Sequence, residues 1–217
     1  EGLTLAAILL FGRDEVIQSV LPFHKTDAIC RIQNPDRYDD RDDIRTNLIE
    51  SYDRLMHFVE KHLSDKFVLK DDIRISVRNL IFREVIANTL IHREYTNPYP
   101  AKLIIDSHTV QTENANKVHR DPSLEPGTFS PYPKNPVIAR VFKEIGRADE
   151  LGSGFRNIFR YFSLYSGQKP LLQEKDVFNC TIFIDEEIPD GLIHTENVVE
   201  NVVENVVENV VENRAET

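Results

Sequence analysis

Apolar residues recur at helical spacing in two long segments of the chain, which predicts two helices. The first spans residues 44–64 and should begin close to Asp42 or Asp43, because carboxylates suit a helix start. Its apolar positions are Ile44, Leu48, Tyr52, Leu55, Phe58, Val59 and Leu63. The second helix starts near Ile75 and includes "REVIANTLIHREY", residues 83–95.

The second helix carries a polar stripe within its apolar surface. Glu84, Asn88 and His92 are each four residues apart, so they project from the same helix face. The apolar residues on the same arc are Val77, Leu80, Ile81, Val85 and Ile91, and a second apolar strip is formed by Phe82, Ile86 and Leu90. Buried polar groups cost free energy unless they are partnered, so other groups must meet this stripe.

Shorter apolar segments predict strands. They lie at residues 27–33, 66–70, 97–107 and 109–115, with two more strands within residues 170–185. Two hairpins follow, one turning at Ser107-His108 and the other at Lys175-Asp176. The highly charged residues 34–43 are predicted to form a turn or loop.

Two further helices complete the prediction. One begins near Pro136 and ends at Gly146, and the other follows Gly154. The Pro-rich residues 116–136 are long for a connector, and loops of that length often serve as lids or binding loops. This mixture of helices and hairpins predicts an α+β fold, in which helices cover one face of a mainly antiparallel mixed sheet.

Composition narrows the class of protein. The chain has 217 residues, of which 41% are hydrophobic and 29% charged, as in ordinary globular proteins. It contains no apolar run that could span a membrane and no signal peptide, and Cys30 and Cys180 sit in apolar contexts. We therefore expect a cytoplasmic protein with two reduced cysteines and no membrane partner. Because it starts directly in "GLTLAAILLFG", we also expect a fragment of a longer protein.

The end of the chain repeats "NVVE" four times, from Asn197 to Glu212. On a helix, Val198, Val202, Val206 and Val210 would form a slanting stripe. The tail is either disordered by itself or helical against a partner, and the Val stripe predicts a homo-oligomer.

Net charge argues against a DNA-binding surface. Of the total of −10, the segment from His194 onward supplies −5 through six Glu and one Arg, and the rest of the chain carries the other −5. Duplex binding depends on neutralising phosphates, so we expect DNA contacts only through parts of the protein that are absent from this chain.

Two motifs have candidate chemistry. Glu84 could orient or deprotonate a water while the Asn88 amide oxygen ligates Mg²⁺ that carries nucleotide phosphates. By spacing alone, however, a buried polar network is favoured, because Glu and Asn four residues apart occur frequently by chance. Gly152, Ser153 and Gly154 precede a helix, where backbone N–H groups could bind an anion, or the three residues could simply form a flexible turn.

The block "REVIANTLIHREY", the following hairpin and "NPVIARVFKEIGRADELGSGFRNI" together resemble the C-terminal ATPase-like domain of RecG-related helicase-like proteins, also described as transcriptional regulators. The resemblance covers most of residues 1–184. It implies a domain similar to the GHKL (Bergerat) ATP-binding fold. It also implies Schlafen/AlbA-type sequence before a junction at residues 1–66, the ATPase-like domain at 67–192 and a tail at 193–217.

The resemblance also assigns roles. It implies ATP and Mg²⁺ as cofactors, with Glu84 as general base and Asn88 as the metal ligand. Gly152, Ser153 and Gly154 would approach the phosphates. His92 and Arg93 belong to an extension of the first block, from which Arg93 could reach a phosphate.

The chain departs from the GHKL pattern at the adenine contact. The place of the Asp-x-Gly-x-Gly motif reads Asn114-Ala115-Asn116, without glycine, and no phosphate-binding P-loop occurs in the chain. We therefore expect no DNA unwinding and at most a Mg²⁺-dependent ATPase. Two functions stay open: a nucleotide-binding regulatory domain of a DNA-associated protein, or a degenerate scaffold for dimerisation and interaction that binds no nucleotide.

Overall fold

The computed structural model describes residues 2–33, 36–70, 73–116, 133–148, 161–162 and 164–184. The helices are α1 (Leu5–Phe11), α2 (Asp14–Val20), α3 (Leu48–His62), α4 (Val77–Ile91) and α5 (Pro136–Glu144). The strands are β1 (Thr26–Arg31), β2 (Asp40–Ile44), β3 (Phe67–Lys70), β4 (Ile73–Ser76), β5 (Ala101–Asp106), β6 (Thr109–Ala115), β7 (Leu171–Glu174) and β8 (Val177–Phe183).

A six-stranded sheet with the order β2-β1-β5-β6-β8-β7 forms the centre of the fold. Strands β1 and β5 are parallel, and the other neighbours in this sheet are antiparallel. Strands β3 and β4 form a separate antiparallel pair. The predicted α+β class with a mainly antiparallel mixed sheet is confirmed.

One face of the sheet packs against the helices. Ala28, Leu103, Val110 and Ile182 lie on this face and belong to the buried core, to which Leu9 of α1 also contributes. Helix α3 packs against α4, β1 and β2, while α4 also contacts β6 and α5. The opposite face carries ion pairs between neighbouring strands, such as Arg41 with Asp27 and Lys102 with Glu113. The helices therefore bury α4 against the sheet.

Most local predictions are confirmed. Strands β5 and β6 turn at Ser107-His108, β7 and β8 turn at Lys175-Asp176, and α5 begins at Pro136. Gly146 follows α5 with a φ of 70°, a left-handed conformation that glycine adopts without strain. Cys30 and Cys180 are free and buried, as predicted, and burial raises the pKa of the Cys180 thiol to about 12.

The prediction of a turn or loop over residues 34–43 is wrong for its last residues, because β2 begins at Asp40. The acidic side chains of this edge strand each find a cation. Asp42 pairs with Arg54 of α3, and Asp43 lies 3.0 Å from the ammonium group of Lys25. Charged residues suit an edge strand because they discourage pairing with other chains.

Two helix starts also differ from the prediction. Asp42 and Asp43 belong to β2, and α3 is instead capped by Asn47, whose side chain accepts a hydrogen bond from the Glu50 amide. Residues 73–76 form β4, so α4 begins at Val77 and is capped by the Ser76 hydroxyl. No helix within the described residues has the length and apolar composition needed to cross a membrane.

Candidate functional site

Helix α4 carries the polar stripe that the sequence predicts. Glu84 and Asn88 lie within the helix, and His92 follows its last residue as the C-cap. The Glu84 side chain is buried, whereas Asn88 and His92 are partly accessible. Because most of α4 is buried, the stripe faces the interior of the domain rather than bulk water.

The Glu84 carboxylate lies in a cluster of charged and aromatic groups. Its Oε1 atom is 3.3 Å from Nη2 of Arg83. Tyr52 of α3 is a neighbour, and its pKa is raised to about 12, chiefly by burial and in small part by the Glu84 carboxylate. Arg147 covers the Tyr52 ring at 4.9 Å and donates a hydrogen bond to the Ile49 carbonyl at 2.9 Å.

The other end of the stripe is uncharged. Burial, and in smaller part the positive charge of Lys134, lower the pKa of His92 to about 4. The imidazole of His92 is therefore neutral at pH 7 and can donate one hydrogen bond and accept one. The ammonium nitrogen of Lys134 is itself buried, which places a cation beside the stripe. The sequence analysis did not single out Lys134, because no local pattern shows that this lysine lies inside the fold.

Arg93 is one of the largest fully buried side chains in the described part of the chain. Its Nη1 donates a hydrogen bond to the Lys25 carbonyl at 2.7 Å, and its Nη2 donates to the Tyr99 carbonyl at 3.3 Å. Its guanidinium also lies 5.4 Å from the Tyr95 ring centroid, and burial lowers its pKa. Arg93 thus ties the end of α4 to the chain segments that precede β1 and β5.

Side chains satisfy the carbonyl groups at the end of α4. The Tyr95 hydroxyl donates to the Leu90 carbonyl at 2.7 Å. Asn135 Nδ2 donates to the carbonyls of Ile91 and Arg93, both at 2.8 Å. The last carbonyls of a helix lack intrahelical partners, so these bonds fix where α4 ends. The Arg and Tyr of the sequence block "HREY" therefore have structural partners.

Asn114 on β6 faces the helices and is only 1% exposed. Its carbonyl oxygen Oδ1 has no hydrogen-bond partner among the described residues. An unsatisfied buried polar group costs about 1–3 kcal/mol, so this position is suited to a polar ligand or a bound water. The neighbouring Asn116 differs, since its amide nitrogen Nδ2 donates to the Lys175 carbonyl at 2.8 Å.

The end of β6 meets the end of α4. The Glu94 amide donates to the Ala115 carbonyl at 3.1 Å, which joins the residue after Asn114 to the loop after His92. Asn135, through its bonds to the same loop, brings the adjacent Lys134 to this place. The structure thus places Lys134 near His92 and joins the backbone next to Asn114 to the loop that follows His92. The predicted phosphate-contacting residues Gly152, Ser153 and Gly154 lie outside the described residues, as does most of the predicted lid.

The side chains around the stripe suit a magnesium ion only in part. Among the described residues, no three His, Cys, Asp or Glu side chains group together as metal ligands. Mg²⁺ in nucleotide sites commonly takes one or two protein ligands and completes its shell with phosphate oxygens and water. The Asn88 amide fits a single ligand of that kind.

Comparison with known proteins identifies the relatives of this fold. Residues 113–183 match the family model described as "Putative ATP-dependent DNA helicase recG C-terminal". The resemblance predicted from the sequence is confirmed. The matched segment runs from β6 to β8 and so contains Asn114, whereas α4 and its polar stripe precede it.

A solved structure shares the fold of this chain. The DIP2311 protein from Corynebacterium diphtheriae superimposes with a TM-score of 0.66 at 18% sequence identity. The alignment covers 84% of this chain and 37% of that protein, so this chain spans less than half the length of its structural neighbour. No curated protein matches the chain.

Proposed function

We propose that this domain binds a nucleotide between α4 and the end of β6, with Mg²⁺-ATP as its ligand. The observation that carries the proposal is the backbone hydrogen bond from Glu94 to Ala115. It joins the end of β6, beside the buried Asn114 carboxamide, to the loop after the α4 polar stripe, in a chain whose residues 113–183 match the RecG C-terminal family model. A buried site with a few convergent polar groups on an apolar background is typical of small-molecule binding.

Each polar group has a distinct role in this proposal. The Asn88 amide oxygen ligates Mg²⁺, which when bound neutralises phosphate charge. The Lys134 ammonium, buried beside His92, adds positive charge for a phosphate. Glu84 holds and deprotonates the attacking water in a weak hydrolysis. Gly152, Ser153 and Gly154 approach the phosphates, as the sequence resemblance implies.

Two residues have roles in this proposal that differ from those expected from the sequence. Arg93 uses its two terminal nitrogens for the Lys25 and Tyr99 carbonyls, so it positions the end of α4 rather than contacting phosphate. His92, which burial keeps neutral, offers hydrogen bonds and no charge. The whole protein would be a DNA-associated regulator, with its DNA contacts outside this chain.

The alternative proposal is a scaffold that binds no nucleotide. It is favoured by the ion pair of Glu84 with Arg83 and by the 5% exposure of Glu84, because a buried structural network has the same appearance. The absence of glycine in Asn114-Ala115-Asn116 points in the same direction, since Asn116 is held by the Lys175 carbonyl.

Titration calorimetry with Mg²⁺-ATP up to millimolar concentration separates the two functions. Asn88→Ala should abolish Mg²⁺-dependent binding. Glu84→Gln keeps the shape of the side chain, so it should still bind ATP while hydrolysis falls about 10²–10⁴-fold through loss of a general base. Asn79→Ala is the matched control, because Asn79 lies on the same helix and donates to Glu60 on the protein surface.

Melting curves give an independent readout, because a ligand stabilises only a state that it binds. Wild-type protein that shows neither heat nor a rise in melting temperature with Mg²⁺-ATP would exclude the nucleotide proposal. Glu84, Asn88 and His92 would then form a structural network, and Asn88→Ala would only destabilise the fold.

A further inference from the structure

The outward side of α5 carries an apolar stripe that remains accessible in the fold. Val137 is 58% exposed and Ile145, the C-cap residue, is 44% exposed, while Val141 between them is partly buried. The three residues are four positions apart, so they follow one slanting line along the helix surface. The inward side of α5 packs separately into the core, for example through Phe142. The fold therefore leaves a stripe on α5 that a further element can cover.

Positive charge accompanies this stripe. Residues 133–148, which include α5, carry four cationic side chains and one carboxylate, in a chain whose net charge is −10. Arg140 is exposed, lies three positions after Val137, and forms no ion pair with the described residues. The one carboxylate, Glu144, lies one turn further along the helix. A surface of this kind suits a partner that is apolar along one line and acidic beside it.

The "NVVE" repeat of residues 197–212, which lies outside the described residues, has the complementary pattern. As a helix it would present Val every four positions, the same period as the α5 stripe, with a row of Glu along one flank. Rows of side chains at four-residue spacing fit the grooves of a facing helix, which is the commonest class of helix packing. Asn and Val are weak helix formers, so a helix of this sequence needs a partner surface.

A second exposed apolar pair fits the repeat less well. Val16 and Val20 of α2 are also four positions apart, and they are 43% and 46% exposed. The first turn of α2, however, contains Asp14 and Glu15, so the acidic tail would meet like charge there. Charge therefore distinguishes α5 from α2 as the surface for the tail.

We infer that the "NVVE" repeat of one copy of the chain docks as a helix on the outward side of α5 in a second copy. Its Val rows cover Val137, Val141 and Ile145, and its Glu row lies beside Arg140. In a two-fold dimer each copy donates one tail and receives the other, so the contact forms twice. Residues 185–196 precede the repeat and span about 40 Å when extended, which is sufficient to reach a neighbouring copy.

Light scattering of the full chain tests the inference through changes on α5. Val137→Ser combined with Ile145→Ser removes the exposed ends of the stripe. It should weaken self-association at least about tenfold, because less apolar area is buried in the contact. Arg140→Glu should weaken self-association about fivefold, since the Glu row then meets a like charge.

A matched control is available on α2. Val16→Ser combined with Val20→Ser also replaces two exposed apolar residues, and it should keep the concentration dependence of the wild-type mass. Circular dichroism and melting temperature establish that each variant is folded. All the changed residues are exposed, so we expect the fold to tolerate them.

A change within the repeat tests whether the tail docks as a helix. Asn205→Pro keeps every Val and Glu of the repeat but interrupts a helix at its middle, so it should abolish self-association. Asn205→Ala, which favours a helix, should maintain or strengthen it. Equal self-association of the two variants would show that the tail does not dock as a helix, and would overturn the inference.

Two further outcomes would also overturn it. One is a wild-type chain that is monomeric at all concentrations. The other is an α5 double variant that associates as strongly as wild type, because the tails would then associate with each other. A loss in the α2 control equal to that in the α5 variant would count against α5 as the specific surface. None of these measurements involves a nucleotide, so they leave the proposed nucleotide function to its own test.

Discussion

Arg93 and His24 show how burial changes the role of a charged or titratable side chain. The two lie together near Tyr95, whose ring centroid is 6.2 Å from that of His24 and 5.4 Å from the Arg93 guanidinium. His24 Nε2 donates to the Thr46 carbonyl at 3.0 Å, which leaves Nδ1 unprotonated. Arg93 stays charged because two backbone carbonyls accept its hydrogen bonds, whereas His24 stays neutral.

Acid should destabilise the fold through His24. Burial lowers its pKa to about 4, with the nearby Arg93 charge as a smaller cause. The unfolded chain takes up a proton near pH 6.5 and the folded chain only near pH 4, so stability is complete above about pH 6.5 and falls as the pH drops toward 4. The contribution of a group with this shift is about 3 kcal/mol.

Urea unfolding at pH 7, 5.5 and 4 measures this contribution. His24→Gln keeps a donor for the Thr46 carbonyl but does not titrate, so it should lose about 3 kcal/mol less on acidification than wild type. His108→Gln, a change at an exposed histidine, should leave the acid-induced loss unaltered. Equal losses in wild type and His24→Gln would show that His24 does not remain neutral in the fold.

At the scale of elements, α4 depends on partners from other parts of the chain. Helices α3 and α5 and the sheet cover α4, whose surface is apolar on most sides. Its polar stripe therefore needs hydrogen-bond partners from those elements. Its end is defined by Tyr95 and Asn135 rather than by glycine. Since Asn88 and His92 lie in the last turns, these capping bonds also position the candidate site.

Tyr95→Phe should destabilise the protein by about 1–3 kcal/mol, because it leaves the Leu90 carbonyl buried without its donor. The measurement is the urea midpoint at pH 7, where the unfolding slope should stay constant. Tyr38→Phe provides the matched control, since Tyr38 is 53% exposed and its change should have little effect. A comparable loss in both variants would contradict a specific role for the Tyr95 hydroxyl.

At the scale of the whole molecule, the net charge and the Val repeat of the tail bear on whether copies of the chain associate with one another. The tail from His194 supplies half of the net charge of −10, and its Val residues repeat every four positions. Contiguous apolar surface usually marks a contact, so we propose that this segment promotes self-association of the chain. The tail lies outside the described residues, and the proposal rests on its sequence.

Light scattering of the full chain and of a chain ending at residue 192 tests the proposal. The full chain should have a larger mass that depends on concentration, and the shortened chain should be monomeric. Replacing Val198, Val202, Val206 and Val210 by Ser keeps the length and charge of the tail and should have the same effect as truncation. Identical monomeric masses for all three proteins would exclude self-association through the tail.

Local signals in the sequence determined the elements that depend on neighbouring residues. The two hairpins were predictable because alternating apolar runs flank short turns at Ser107-His108 and Lys175-Asp176. Helix α5 was predictable from Pro136 at its start and Gly146 after its end. The polar stripe of α4 followed from periodicity within one helix, and the α+β class followed from the mixture of predicted helices and hairpins.

Tertiary structure decided the features that depend on distant partners. Strand β2 was hidden by its charges, since Arg54 and Lys25, which pair with Asp42 and Asp43, come from other elements. The partners of Arg93 also come from distant parts of the chain. The sequence resemblance indicated a phosphate ligand, whereas the structure shows the guanidinium donating to the Lys25 and Tyr99 carbonyls. Burial, and with it the pKa of His92 and the unsatisfied amide of Asn114, is a property of the packed molecule. Local sequence could not reveal these features, because the free energy of a buried polar group depends on the atoms that surround it after folding.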